Sequence, residues 1–186
     1  IEISEFNPIE TIDTNVNGTV NMIRMLIKKN PSKFINISTD KAAEPSTLYG
    51  NTKLLGEKVT SWAGDHIKKT KCGTIRFGNV RESRGNVFEI WNEEKNNKKP
   101  LSITNPLMKR YFINANDVVD FILNSLTIIK MGEILIPKMK SFSIKTLANE
   151  ISKSQKIIGL RQGEKLEEKL LTDDEKNRAI EKKDMW

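Results

Sequence analysis

The residues of this chain best equipped for chemistry crowd into one stretch, Ser38-Thr39-Asp40-Lys41-Ala42-Ala43-Glu44-Pro45-Ser46-Thr47-Leu48-Tyr49-Gly50-Asn51-Thr52-Lys53. Tyr49 and Lys53 stand four apart, so on a helix they share one face. A phenol, with a reference pKa of about 10, ionises near neutrality only beside a cation. Lys53, one turn on, can supply that field. Asp40 and Lys41 add a candidate acid and a candidate base. Y-x-x-x-K alone is common by chance and would read as helix decoration. With Ser-Thr-Asp-Lys-Ala directly ahead of it, proton and hydride chemistry is the better reading.

The flanking residues show how such a site is positioned. Phe34-Ile35-Asn36-Ile37 is a short apolar run and predicts a buried strand. Pro45 and Ser46 break the chain, and Ser46 or Thr47 caps a helix reaching about Lys68, with Leu54, Leu55, Val59 and Trp62 inward. Parallel α/β sheets bind ligands where strands end in this way. Upstream, Asn7-Pro8-Ile9-Glu10 predicts a helix start with Asn7 as cap. That helix runs to about Lys29, where Pro31 ends it, with Ile12, Val16, Val20, Ile23 and Ile27 on its apolar side. Gly18 inside it costs about 1 kcal/mol against Ala and implies close packing; Asn15 reads as structural. Downstream, strands are expected at Gly73–Val80, Pro100–Thr104, Glu133–Pro137 and Ile157–Leu160. Helices are expected after Asn86, from Asn116-Asp117 and from Ser143. Thr172-Asp173-Asp174-Glu175 is a capping box for a last helix.

Composition removes several alternatives. The chain has 186 residues, 37% hydrophobic and 30% charged, which suits a soluble globular protein. Its one cysteine, Cys72, excludes an internal disulfide, reads as an inert core thiol and fits a reducing cytoplasm. Its one histidine, His66, sits near a helix end and reads as exposed; histidine triads and most zinc sites are excluded, and no metal is expected. The net charge of +7 is scattered, without interleaved aromatics. It reads as a solvated basic face rather than a nucleic-acid surface. No apolar run approaches the roughly 20 residues of a membrane span, and no signal peptide opens the chain.

The pattern S-T-D-K-A-x-x-P-x-x-x-Y-G-x-x-K is met in full. It resembles the extended short-chain dehydrogenase/reductase superfamily, and within it the nucleotide-sugar 4,6-dehydratases of polysaccharide biosynthesis. Tyr49 stands where long, membrane-anchored relatives carry Met, and Lys41 where glucose-type dehydratases carry Glu. Both favour the soluble, inverting UDP-N-acetylglucosamine branch. Further matches follow along the chain: Arg76-Phe77-Gly78-Asn79-Val80 to R-x-G-N-V, and Ser83-Arg84-Gly85-Asn86-Val87 to S-R-G-S-V. Pro106-Leu107-Met108-Lys109-Arg110-Tyr111 resembles P-x-M-x-R-F, and Arg161-Gln162-Gly163-Glu164-Lys165 resembles R-P-G-E-K. Asn86 replaces a Ser, and Gln162 a Pro.

The resemblance implies an α/β fold: the C-terminal part of a Rossmann-like parallel sheet plus a small α/β substrate-binding lobe. Residues 1–83 would be part of an NAD(P)-binding domain and residues 84–186 mainly a nucleotide-sugar lobe. Thr39, Asp40, Lys41, Tyr49 and Lys53 would be catalytic. Tyr49, Lys53 and Asn79 would meet the cofactor, NADP or NAD. Asn79, Arg84, Asn86, Arg110, Arg161 and Glu164 would meet a UDP-sugar, with Arg110 and Arg161 on phosphates and Glu164 on ribose. Arg76 reads equally as an ion-pair partner. A homo-oligomer assembled through the helices at 8–29 and 47–68 is expected, with no nucleic acid or membrane partner. The superfamily's glycine-rich turn, G-x-x-G-x-x-G, is absent; Gly50, Gly56 and Gly64 lie within a helix. The cofactor's phosphate-binding half is therefore expected to lie outside this chain, with weak cofactor binding and little turnover as the result. The alternatives are an epimerase or C5-retaining dehydratase of the same superfamily, and an inactive fragment that only folds or pairs with another chain.

Overall fold

The computed structural model describes residues 2–186. In chain order the elements are α1 (Glu2–Phe6), α2 (Pro8–Ile12), a π-helical turn (Asp13–Asn17), α3 (Gly18–Lys29), β1 (Lys33–Thr39), a 3₁₀ turn (Asp40–Ala42), α4 (Leu48–His66), β2 (Lys71–Phe77) and β3 (Asn79–Val80). There follow α5 (Val87–Asn96), β4 (Leu101–Ile103), β5 (Lys109–Ile113), α6 (Ala115–Ile128), β6 (Ile134–Leu135), β7 (Ser141–Ser143), α7 (Ile144–Ile151), β8 (Gln155–Ile157) and α8 (Asp173–Arg178). The chain forms two compact units. The first comprises residues 1–77, 119–138 and 169–186; the second comprises 78–118 and 139–168.

The first unit is built on a parallel sheet in the order β1-β2-β6. β1 and β2 run in register from Lys33 opposite Lys71 to Thr39 opposite Phe77. Alternation sends the side chains of each strand to opposite faces. Phe34 and Cys72 join Ile23, Leu26, Ala63 and Ile67 in one apolar cluster, beneath α3 and α4. Ile35, Ile75 and Phe77 join Ile129, Leu135 and Met185 in another. The last residues return to this sheet, where Trp186 and Ile136 exchange both backbone hydrogen bonds at 2.9 Å.

Two helix expectations are corrected. Leu55 and Trp62 are each 50% exposed. The face that α4 buries is instead small or polar: Gly50, Thr52, Gly56, Glu57, Thr60, Ala63 and Gly64. Near its C-terminal end the helix lies too close to neighbouring backbone for a side chain: a Cβ on Gly64 would stand 2.1 Å from the Gly132 backbone nitrogen. The helix predicted over 8–29 contains a π turn, and its apolar side changes along its length. Thr11, Ile23 and Leu26 are buried, whereas Ile12 and Ile27 are exposed. One inserted residue rotates everything beyond it by about 100°. Asn7 does not cap α2 through its side chain, which donates to Ile3 O instead. Asn30, with φ of 49°, closes α3 in the left-handed region before Pro31 is reached.

The second unit is organised around Trp91, Leu101, Ile103, Met108, Ile144 and Ala148. Trp91 is fully buried, and its indole N–H donates to Ser102 O at 2.8 Å. β3 pairs in parallel with β5, β5 pairs antiparallel with β7, and β4 pairs in parallel with β8. The strand expected at 157–160 lies earlier, at Gln155–Ile157, and β7 is one that periodicity did not suggest.

Candidate active site

The exit of β1 builds the site. Thr39, still extended, accepts at its Oγ1 from Lys41 N at 3.5 Å, which tightens the next three residues into a 3₁₀ turn. Five residues beyond that turn, Thr47 caps α4 by accepting from Gly50 N at 3.1 Å. The first turn of α4 then presses on the loop it came from. A Cβ on Gly50 would stand 2.5 Å from the carbonyl oxygen of Lys41. Only a glycine allows that approach, and the approach brings Tyr49 beside the Asp40–Lys41 turn.

Asp40 is fully buried. Its Oδ1 accepts from Lys41 Nζ at 2.8 Å and from Thr39 Oγ1 at 3.0 Å, while its buried Oδ2 has no hydrogen-bond partner. A buried carboxyl oxygen left in this state is costly unless something supplies it with a proton or a donor. Burial pushes the Tyr49 hydroxyl above its ordinary value; Lys41 pulls it down and Asp40 pushes it up. Lys41 is thus one cation placed to favour the ionised phenol. Lys53 donates instead to Ile37 O at 2.5 Å, one residue before Ser38. Burial lowers Lys53, and the nearby Glu57 carboxylate opposes that shift. Thr39, Asp40, Lys41, Tyr49 and Lys53 are therefore all brought to one strand exit. Among the described residues no cluster of His, Cys, Asp and Glu suits a metal ion.

The remaining predicted residues lie in the second unit, where all but Arg84 have a local bond. Asn79 donates from Nδ2 to Tyr111 O at 3.0 Å. Asn86, in place of the usual Ser, caps α5: its Oδ1 accepts from Phe88 N and Glu89 N, and its Nδ2 donates to Ser83 O. Arg110 is largely buried, with Nη1 donating to Lys109 O and Leu166 O. Arg161 N donates to Glu164 Oε2 at 3.0 Å, closing the loop after β8. Arg84 is exposed.

Sequence reasoning missed Glu57 as a site neighbour. The available signal was its position four residues after Lys53, on the same helix face. It missed Thr52 as well, which accepts from Asn15 Nδ2 at 3.0 Å across from the π turn.

A family model described as polysaccharide biosynthesis protein matches residues 1–186. The chain belongs to that family. A relative from Campylobacter jejuni, UDP-N-acetylglucosamine 4,6-dehydratase (inverting), is 39% identical over 97% of this chain and 56% of its own length. A UDP-glucose 4-epimerase from Rickettsia rickettsii is 34% identical over 98% of this chain and 56% of its own. Among solved structures, Pen from Bacillus thuringiensis superposes with a TM-score of 0.92, at 31% identity, covering 98% of this chain and 60% of that one. The dTDP-glucose 4,6-dehydratase DesIV from Streptomyces venezuelae, with NAD and TYD bound, superposes with a TM-score of 0.83 at 15% identity, covering 94% and 62%. The family member thus has a Rossmann-like α/β fold and nucleotide-sugar dehydratases and epimerases as relatives. It spans a little over half the length of those curated relatives.

Proposed function

We propose that this chain carries the proton-transfer centre of a nucleotide-sugar 4,6-dehydratase acting on UDP-N-acetylglucosamine with inversion at C5. One observation carries the reading: the bonded Asp40–Lys41 pair, buried at the strand exit with Tyr49 in its electrostatic field. Dehydration across C5 and C6 needs a base at C5 and an acid at the C6 oxygen. Moving one proton from Lys41 to Asp40 across their 2.8 Å contact produces both at once.

In that scheme Tyr49 takes the proton of the 4-hydroxyl, and Thr39 donates to the 4-oxygen. A nicotinamide dinucleotide, NADP or NAD, held by Tyr49, Lys53 and Asn79, would supply the chemistry of taking hydride from C4 and giving it back at C6. Lys41 removes the C5 proton, which the 4-keto group has made acidic. Asp40 protonates the departing 6-hydroxyl, which leaves as water. Lys41 then reprotonates C5 from the other face. The product is a 6-deoxy-4-keto sugar nucleotide, and the only net loss is one water.

The residues present suit the nicotinamide end of such a cofactor. Tyr49 and Lys53 line the strand exit, and Asp40 Oδ2 offers a buried oxygen without a donor. The glycine-rich turn that would hold the pyrophosphate is not among these 186 residues. Asn79, Arg84, Asn86, Arg110, Arg161 and Glu164 are proposed for the UDP-sugar, and homo-oligomerisation is proposed through α2–α3 and α4. Exposed Met22, Met25, Leu55 and Trp62 on those helices support the latter. No described helix is long and apolar enough to cross a membrane; the cytoplasm is proposed from the lone buried thiol.

The epimerase reading has its own support in the Rickettsia relative. Epimerisation at C4 needs no acid and base at C5 and C6, so the Asp40–Lys41 pair weighs against it. Product NMR in deuterated water, on the protein in the full length its gene encodes, decides. Deuterium at C5 with loss of water is expected; a C4 epimer without C5 exchange would replace the dehydratase with the epimerase.

A further inference from the structure

We propose that Glu57 and Arg76 are positioning residues: with Ser38 and Glu175 they form a largely buried chain that clamps the exit of β1 and holds a negative charge one helical turn from Lys53. The proposal rests on the reading of Lys53 as part of the site.

Glu57 and Arg76 are each 1% exposed. Glu57 Oε1 accepts from Ser38 Oγ at 2.5 Å and from Arg76 Nε at 2.9 Å, and its Oε2 accepts from Arg76 Nη2 at 2.6 Å. Arg76 Nη2 also donates to Glu175 Oε1 at 2.9 Å, and Nη1 donates to Glu175 Oε2 at 2.7 Å and to Leu170 O at 2.9 Å. All five N–H groups of the guanidinium are thereby engaged. Burial opposes its charge, but the two carboxylates overcome that and raise it above its ordinary value.

Two features exceed what packing requires. The first is spacing. Lys53 and Glu57, one turn apart on α4, hold consecutive residues of β1: Lys53 takes Ile37 O and Glu57 takes Ser38 Oγ. The next three residues are Thr39, Asp40 and Lys41. The helix therefore grips the strand immediately before the acid and the base. The second is charge balance. Two carboxylates share one guanidinium, so the chain has one negative charge in excess. Lys53 is the cation on the same helix face, and Glu57 is what opposes its loss of charge on burial. Apolar groups of similar volume could fill this space at comparable or greater stability. They could neither hold Ser38 nor keep a negative charge beside Lys53.

The two roles separate experimentally in this chain, without turnover. Competitive labelling of lysines by an amine-reactive acylating agent across pH, read by mass spectrometry, gives the midpoint for Lys53. In Glu57→Gln that midpoint should fall by about one pH unit or more, because desolvation is then unopposed. In Ser38→Ala it should stay put, while amide hydrogen exchange over residues 39–43 speeds up about tenfold. Should Glu57→Gln fail to fold by circular dichroism, Glu175→Gln removes the excess charge and leaves the inner pair; a smaller fall is expected. An unmoved Lys53 midpoint in a folded charge variant, or unmoved exchange in Ser38→Ala, overturns the proposal. A protein that shows both shifts yet forms no dehydrated sugar would overturn the function and leave this clamp standing.

Discussion

The two units fill their interiors differently. In the second, Trp91, Leu101, Ile103, Met108, Ile144 and Ala148 meet as hydrocarbon. In the first, the layer between α4 and the sheet is largely polar: Ser38, Thr52, Glu57, Thr60, Thr74 and Arg76 are buried. Hydrocarbon contacts are non-directional and tolerate small displacements, whereas a hydrogen-bonded charge chain holds its members at set angles and distances. The candidate acid, base and phenol sit at the end of the polar layer. Of the candidate substrate residues of the second unit, Asn79, Asn86, Arg110, Arg161 and Glu164 are instead engaged in caps and backbone bonds.

That contrast can be broken by mutation, most strongly in the two cores. Trp91→Ala should cost about 3–5 kcal/mol of stability in urea denaturation, through lost burial and a cavity. Arg76→Met should cost a similar 3–5 kcal/mol for a different reason, because it strands two carboxylates. Adding Glu57→Gln to Arg76→Met should recover part of that loss. Absence of recovery would show that the polar layer acts through volume alone, like its hydrocarbon counterpart.

Gly50→Ala should cost about 1–3 kcal/mol, since its Cβ meets the Lys41 backbone rather than a yielding side chain. Its effect should concentrate in faster amide exchange over residues 39–43. Asn86→Ala should cost about 1 kcal/mol as a lost helix cap. Asn86→Ser should restore it, which would show that the residue serves the same local purpose as the Ser it replaces.

The smallest effect should come with pH. Burial pushes Glu175 up, but hydrogen bonds from Arg76 and the backbone N–H of Thr172 outweigh it and hold the carboxyl below its ordinary 4.5. A carboxyl depressed on folding stabilises the folded state above its unfolded pKa and ceases to do so as pH falls through its folded value. The difference in urea midpoint between the wild-type chain and Glu175→Gln should therefore be constant above about pH 5 and shrink below 4.5. A difference that persists unchanged at pH 2 would remove Glu175 from the charge chain.

Much of the site was legible because its signals are local. The strand, the break at Pro45, a cap at Ser46 or Thr47 and the four-residue step from Tyr49 to Lys53 all lie within a few turns of one another. The inward face of α4 was not legible. Leu55 and Trp62 look like core by hydropathy, yet the buried face of α4 is taken by glycines where backbone approaches closely, as at Gly64, and by hydrogen-bonded polar groups such as Glu57. The π turn at Asp13–Asn17 was equally hidden, because a single inserted residue leaves no compositional mark. That Asn86 also serves as a cap was hidden, because only the fold shows the first turn of α5 presenting the backbone N–H groups of Phe88 and Glu89 to its oxygen.

The sequence by itself determined the caps at Ser143 and Thr172, narrowed that of α4 to Ser46 or Thr47, and gave most of the order of strands and helices and the gathering of candidate acid, base and phenol after one strand. Those follow from bonds spanning a turn or two. Tertiary structure alone decided that Lys41 and Asp40 pull the Tyr49 hydroxyl in opposite directions, and that Arg76 pairs with Glu57 and Glu175, 19 and 99 residues away. The strength and choice of a charge contact depend on how much water is excluded around it, and that is settled only when distant segments close over the same space.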